Sequence, residues 1–120
     1  MILADTSIWI DHFHTKNVQL EMLAEAEDLL CHPLVIAELA LGSLKSRALT
    51  IQYLKALPTT QGIETEELLH FVESEKIYSR GVGLVDATLL ASCIVDIEPV
   101  KLWTRDRRLN ALAEQFGVAY

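Results

Sequence analysis

In a chain of 120 residues with 17 Asp and Glu against 10 Lys and Arg, most carboxylates merely solvate the surface. The informative ones stand where a hydrophobic neighbour is expected. Glu38 lies in Pro33-Leu-Val-Ile-Ala-Glu-Leu-Ala-Leu-Gly42, with Leu34, Val35 and Leu41 as its helical neighbours. Asp86 lies in Val82-Gly-Leu-Val-Asp-Ala-Thr-Leu-Leu-Ala91, among Val82, Leu89 and Leu90. Both are expected to face inward. Asp5 and Asp106 follow the apolar runs Ile2-Leu-Ala4 and Val100-Lys-Leu-Trp103, where strands are expected to end.

A buried ionised carboxylate has to be paired, protonated or bound to a cation. If the four acids converge, they repel: two carboxylates about 4 Å apart cost roughly 4 kcal/mol at an effective dielectric of about 20. Something positive must sit between them. Hard oxygen ligands without Cys or neutral His select Mg²⁺ or Mn²⁺ over zinc. One or two such ions can activate a water and stabilise the phosphorus centre and leaving oxygen of phosphodiester hydrolysis. Thr6, Ser7 and Thr104 are placed to orient the acids, a water or a phosphate oxygen. Taken singly, Asp5, Ser7 and Asp106 also read as helix caps, and Glu38 and Asp86 as partners of an arginine. Together, on strand ends and apolar helix faces, the four read as one site. His12-x-His14 reads as a solvated helix end, and Trp9 and Trp103 as core.

The elements that must position these residues follow from the apolar spacing. Ile2 to Ala4 is a buried strand, followed by a short helix over Ile8 to Phe13 and an amphipathic helix around Leu20 to Ala26. Leu29-Leu30-Cys31 is a second strand. Helices are expected over Pro33 to Leu44, with Pro33 in the first turn, and over Arg47 to Leu57. A further helix runs from Thr65 to Arg80 on a Thr-x-x-Leu start without a capping box, and Gly81 closes it. Leu84 to Ile97 is apolar almost all round, which marks a central buried helix. A strand over Val100 to Trp103, a helix over Arg107 to Phe116 stopped by Gly117, and a short strand over Val118 to Tyr120 complete the chain. Strands alternating with helices imply a single-domain α/β sandwich over residues 1–120 around a mostly parallel sheet. In such sheets ligand sites lie outside the carboxyl ends of the strands.

Four segments, Asp5-Thr6-Ser7, Val35-Ile-Ala-Glu38-Leu with Gly42, Asp86-Ala-x-Leu-Leu-Ala91 and Leu102-x-Thr104-Arg-Asp106, resemble in order the PIN-domain ribonucleases. The short single-domain layout is similar to that of the VapC toxins of VapBC toxin–antitoxin pairs. The resemblance implies a three-layer α/β/α fold, Mg²⁺- or Mn²⁺-dependent endoribonuclease activity on a structured RNA such as tRNA or rRNA, homodimerisation and a cognate antitoxin. Carried over by position, Asp5, Glu38, Asp86, Asp106 and Thr104 form the catalytic set, with Asp5, Asp86 and Asp106 on the metal. The chain departs from the family pattern at Leu109, where an aromatic residue is common, and has no acid between Asp106 and Glu114.

A formal net charge of −7 argues against non-specific nucleic-acid binding. The basic residues are unevenly spread, however, and Arg105, Arg107 and Arg108 crowd around Asp106 as candidate RNA phosphate contacts. A receiver-type signalling domain is excluded, because Ala48 to Ile63 lacks the acid its middle strand needs. An inactive protein-binding module of the same fold predicts a lost acid, whereas all four are present. A housekeeping nuclease of RNA processing remains the alternative to a toxin. The two cysteines, the absence of a signal-type start and the lack of any apolar run of transmembrane length point to the cytoplasm, away from membranes.

Overall fold

The computed structural model describes residues 1–120. Its elements run β1 (Ile2–Ala4), α1 (Thr6–His14), α2 (Val18–Glu25), β2 (Leu29–Leu30), α3 (Pro33–Ala40), α4 (Arg47–Ala56), α5 (Thr65–Ser74), α6 (Leu84–Val95), β3 (Lys101–Trp103) and α7 (Arg107–Gln115). The strands form one parallel sheet in the order β2-β1-β3, with Ile2 opposite both Leu29 and Lys101. Every residue of β1 is buried, rather than every second one, so helices cover both faces of the central strand. The α/β sandwich expected from the alternation of elements is therefore present. α1 packs on β1, α2 on β2, and α6 and α7 on β3.

The chain steps from β1 to β2 on one side and returns to β3 on the other. The carboxyl ends of β1 and β3 thus flank the point where strand order reverses, and such a point opens a crevice for ligands. Ala4 lies opposite Trp103 there, and the Asp5 amide donates to the Trp103 carbonyl at 3.0 Å. α6 is the central helix that its composition implies, with Ala87 through Cys93 buried in succession.

Several helices end sooner than apolar spacing suggests. α3 stops at Ala40 instead of Leu44, because the Arg47 guanidinium donates to the carbonyls of Ala40 and of Gly42, the latter at 3.2 Å, and satisfies the helix end. α5 stops at Ser74 instead of Arg80. Lys76 takes a left-handed φ of 55°, and the Ile77 amide returns to the Val72 carbonyl at 3.0 Å. That turn carries Ile77 into the core, so its apolar spacing is satisfied outside the helix. Gly81 consequently closes no helix; it sits in the approach to α6 at φ +79°, where a Cβ would come within 2.6 Å of Arg108 Cδ. The start of α5 also differs, since Glu64 and Glu67 form a capping box in which the Glu64 amide donates to the Glu67 carboxylate at 3.2 Å. The expected last strand reduces to a single parallel bridge between Leu102 and Ala119.

Candidate active site

Asp5 leaves the carboxyl end of β1 and serves as N-cap of α1, accepting from the Ile8 amide at 3.3 Å. The same carboxylate accepts from the Ser7 hydroxyl at 2.5 Å and from the Thr104 hydroxyl just beyond β3. Capping and site formation thus coincide in one buried side chain. Thr104 in turn accepts from the Asp106 amide at 3.0 Å, and Asp106 caps α7 through the Leu109 amide at 2.9 Å. Only one Asp106 carboxylate oxygen is used in that cap. On the other side, the Thr6 hydroxyl donates to Glu38 on α3 at 2.5 Å. Asp86 enters from the first turn of α6.

The four acids share one electrostatic environment. Burial pushes the Asp86 carboxyl up to about 6, and the charges of Asp5, Asp106 and Glu38 push it the same way. Burial also raises Asp5, against hydrogen bonds from Ser7, Thr104 and Ile8 that favour its charged form. The two ion pairs of the molecule, Lys16–Glu21 and Arg105–Asp11, involve none of the four. The convergence is therefore of like charges without a basic side chain to neutralise them.

The depth of the acids differs from expectation. Glu38 is exposed and Asp86 half-buried, so neither faces fully inward. Leu41 keeps helical dihedrals, and its amide still donates to the Ala37 carbonyl at 3.2 Å, so it stays on the Glu38 face; that face itself looks into solvent, with Leu41 89% exposed. Thr104 acts through Asp5 and the Asp106 amide, which makes it a positioning residue. Of the three arginines, Arg105 is tied to the site: its amide donates to Ser7 Oγ at 3.1 Å while its guanidinium pairs with Asp11. Arg107 is exposed, and Arg108 lies across Gly81. Sequence reasoning missed Asp11, and no local pattern could have revealed a partner on another element. His12 accepts from the Asn17 amide at 3.0 Å and Trp9 is core, as expected, while Trp103 is half-buried.

The donor set suits a hard divalent cation in chemistry, being all oxygen, anionic and free of competing Lys or Arg. No three acidic, His or Cys side chains close into a ready-made cage.

The model of the PIN domain family matches residues 2–115. The chain is 42% identical over 119 residues to "Ribonuclease VapC32" of Mycobacterium tuberculosis strain CDC 1551 / Oshkosh, covering 99% of this chain and 95% of that protein. The protein of the same name from strain ATCC 25618 / H37Rv matches to the same extent.

Proposed function

The chain belongs to the PIN domain family, and from that premise we propose that it is a Mg²⁺- or Mn²⁺-dependent endoribonuclease, the toxin of a toxin–antitoxin pair. The observation that carries the reading is the convergence of Asp5, Glu38, Asp86 and Asp106 at the switch point between β1 and β3, with no cationic partner. Asp5, Asp86 and Asp106 would hold the ion. When bound, it supplies charge stabilisation at phosphorus and activation of a water nucleophile. Thr104 and Ser7 fix the Asp5 carboxylate, and Thr6 fixes Glu38 at the rim. With Asp5 buried and both Glu38 and Asp106 exposed, the reacting phosphate is approached from the side of those two acids.

The relatives' name supports ribonuclease activity, and with it an RNA substrate and a cognate antitoxin as protein partner; a structured RNA such as tRNA or rRNA is our proposal for the substrate. A homodimer in the cytoplasm completes the reading. Leu41, Leu84 and Ile97 project into solvent as apolar candidates for partner surfaces, and no helix is long and apolar enough to cross a membrane.

The test is RNA cleavage with Mg²⁺, with chelator, and with Asp5→Asn and Asp86→Asn. We expect cleavage only for the unaltered chain with metal; activity persisting in both variants refutes the assignment. Expression is expected to arrest growth, and Asp86→Asn to abolish that effect. Equal toxicity of the two would refute the toxin reading.

A further inference from the structure

Four carboxylates with no basic partner attract any guanidinium within reach, and Arg105 is within reach. It stands between Thr104 and Asp106 in the chain. Its amide donates to Ser7 Oγ at 3.1 Å, and Ser7 donates to Asp5 at 2.5 Å, so its backbone is two hydrogen bonds from the most buried acid of the cluster. An arginine side chain is long enough to span that gap. One Asp106 carboxylate oxygen, moreover, is left over from the α7 cap. Yet the guanidinium pairs with none of the four acids. It pairs through Nε with Asp11, six residues after Asp5 and about 9 Å further along α1.

A single carboxylate holds it there. The open cleft around the guanidinium, about 550 Å³, is otherwise walled by residues 14–18, and Asp11 is its only acid. Lys16, the lysine in that cleft, is taken by Glu21 at 3.2 Å. Without Asp11 the guanidinium has no anionic partner in the cleft, and the four acids are the next concentration of negative charge. Both side chains of the pair are substantially exposed, and such a pair adds little to stability. Its consequence is instead where one positive charge is kept. A guanidinium that swings onto the cluster stabilises the carboxylates as a metal ion would, and so competes for the same oxygens.

We propose that Asp11 is a positioning residue for the metal site: by holding Arg105 to one side, it keeps the four acids free for a divalent cation. The proposal rests on the metal-dependent reading of the cluster. Asp11 touches neither metal nor substrate and acts only through Arg105. Its role needs the charge at position 11, so Asp11→Glu keeps it and Asp11→Asn loses it.

Mn²⁺ binding to the RNA-free protein at low salt, read from the electron paramagnetic resonance of the free ion, tests this without any cleavage. Asp11→Asn is expected to weaken binding about 5- to 20-fold. Arg105→Gln should bind at least as well as wild type, and the double variant within about twofold of Arg105→Gln. Glu21→Gln, which removes the carboxylate of the other ion pair, should bind like wild type. An unchanged Mn²⁺ affinity in Asp11→Asn overturns the proposal. An equal loss in the Arg105→Gln background also overturns it, since the charge of Asp11 would then act without Arg105. A second readout needs no metal. In chelator, the Arg105 Nε–H resonance of Asp11→Asn should move when Asp86→Asn is added, whereas that of wild type should stay. Resonances that stay in both overturn the proposal even where wild type binds Mn²⁺ and Asp86→Asn does not. If the resonance moves as expected while wild type binds neither Mn²⁺ nor Mg²⁺, the metal reading alone fails.

Discussion

Replacing Asp86 with Asn should stabilise the metal-free protein while abolishing its activity. The Asp86 carboxyl is pushed from 3.8 to about 6, so the folded state holds its proton more tightly than the unfolded chain does. Stability is then complete below pH 3.8 and is lost as pH rises through about 6. Two pKa units correspond to about 3 kcal/mol, but the group is half exposed, and solvent screening reduces this to about 1.5 kcal/mol. Asn also gives up a favourable charge in the first turn of α6, worth about 0.5 kcal/mol. The net gain at pH 7.5 is therefore about 1 kcal/mol, or about 4 °C in Tm for a domain of this size. Thermal unfolding followed by circular dichroism in chelator, at pH 4 and pH 7.5, measures it. The variant should unfold higher at pH 7.5 and together with wild type at pH 4. Mg²⁺ should raise the wild-type Tm at pH 7.5 more than that of the variant. Equal Tm at pH 7.5, or an equal gain at both pH values, refutes the like-charge account of the site.

Thr104→Val removes a hydroxyl that donates to Asp5 and accepts from the Asp106 amide. Cleavage rate or Mg²⁺ affinity is expected to fall about 10- to 100-fold, with Thr104→Ser restoring most of it, because the side chain acts by orienting a metal-holding carboxylate. A Mg²⁺ titration of activity reads the loss, and an unchanged titration for the Val variant contradicts that role. Cys31 and Cys93 are both buried, and burial pushes their thiols up to about 11 and about 12. Neither should react with a disulfide reagent at pH 8 until the chain unfolds, and rapid labelling of the native protein would contradict the buried placement.

What was legible in the sequence, and what was not, divides along the range of the forces involved. Ile2-Leu-Ala4, the apolar Ala87 to Cys93 stretch and the caps Asp5 and Asp106 are local signals, and each element forms where its residues indicate. Helix ends were less visible, because they depend on partners that spacing does not encode: Arg47 closes α3 from the next helix, and a left-handed Lys76 ends α5 without a glycine. The depth of Glu38 was hidden for another reason: apolar spacing shows which residues share a helix face, not whether another element covers that face. Leu41 stays on the Glu38 face and is 89% exposed, so nothing covers it there. The Arg105–Asp11 pair joins elements at opposite ends of the chain, and no periodicity reports on it.

That pair also shows why the arginines beside Asp106 are not interchangeable. Three bases next to a proposed metal site invite the view that all grip substrate, yet each side chain is differently committed. Arg108 is spent on the close approach to Gly81, and so steadies the segment that leads into α6 and Asp86. Arg107 stands free in solvent, where a phosphate contact would act mainly through long-range attraction. Arg105 alone is anchored by its backbone to the hydrogen-bond chain that holds Asp5. Its pairing with Asp11 keeps the guanidinium away from the four acids, which a nearer cation would neutralise in place of a metal. Asp11 therefore leaves the acid cluster with its negative charge, by holding the nearest guanidinium to one side.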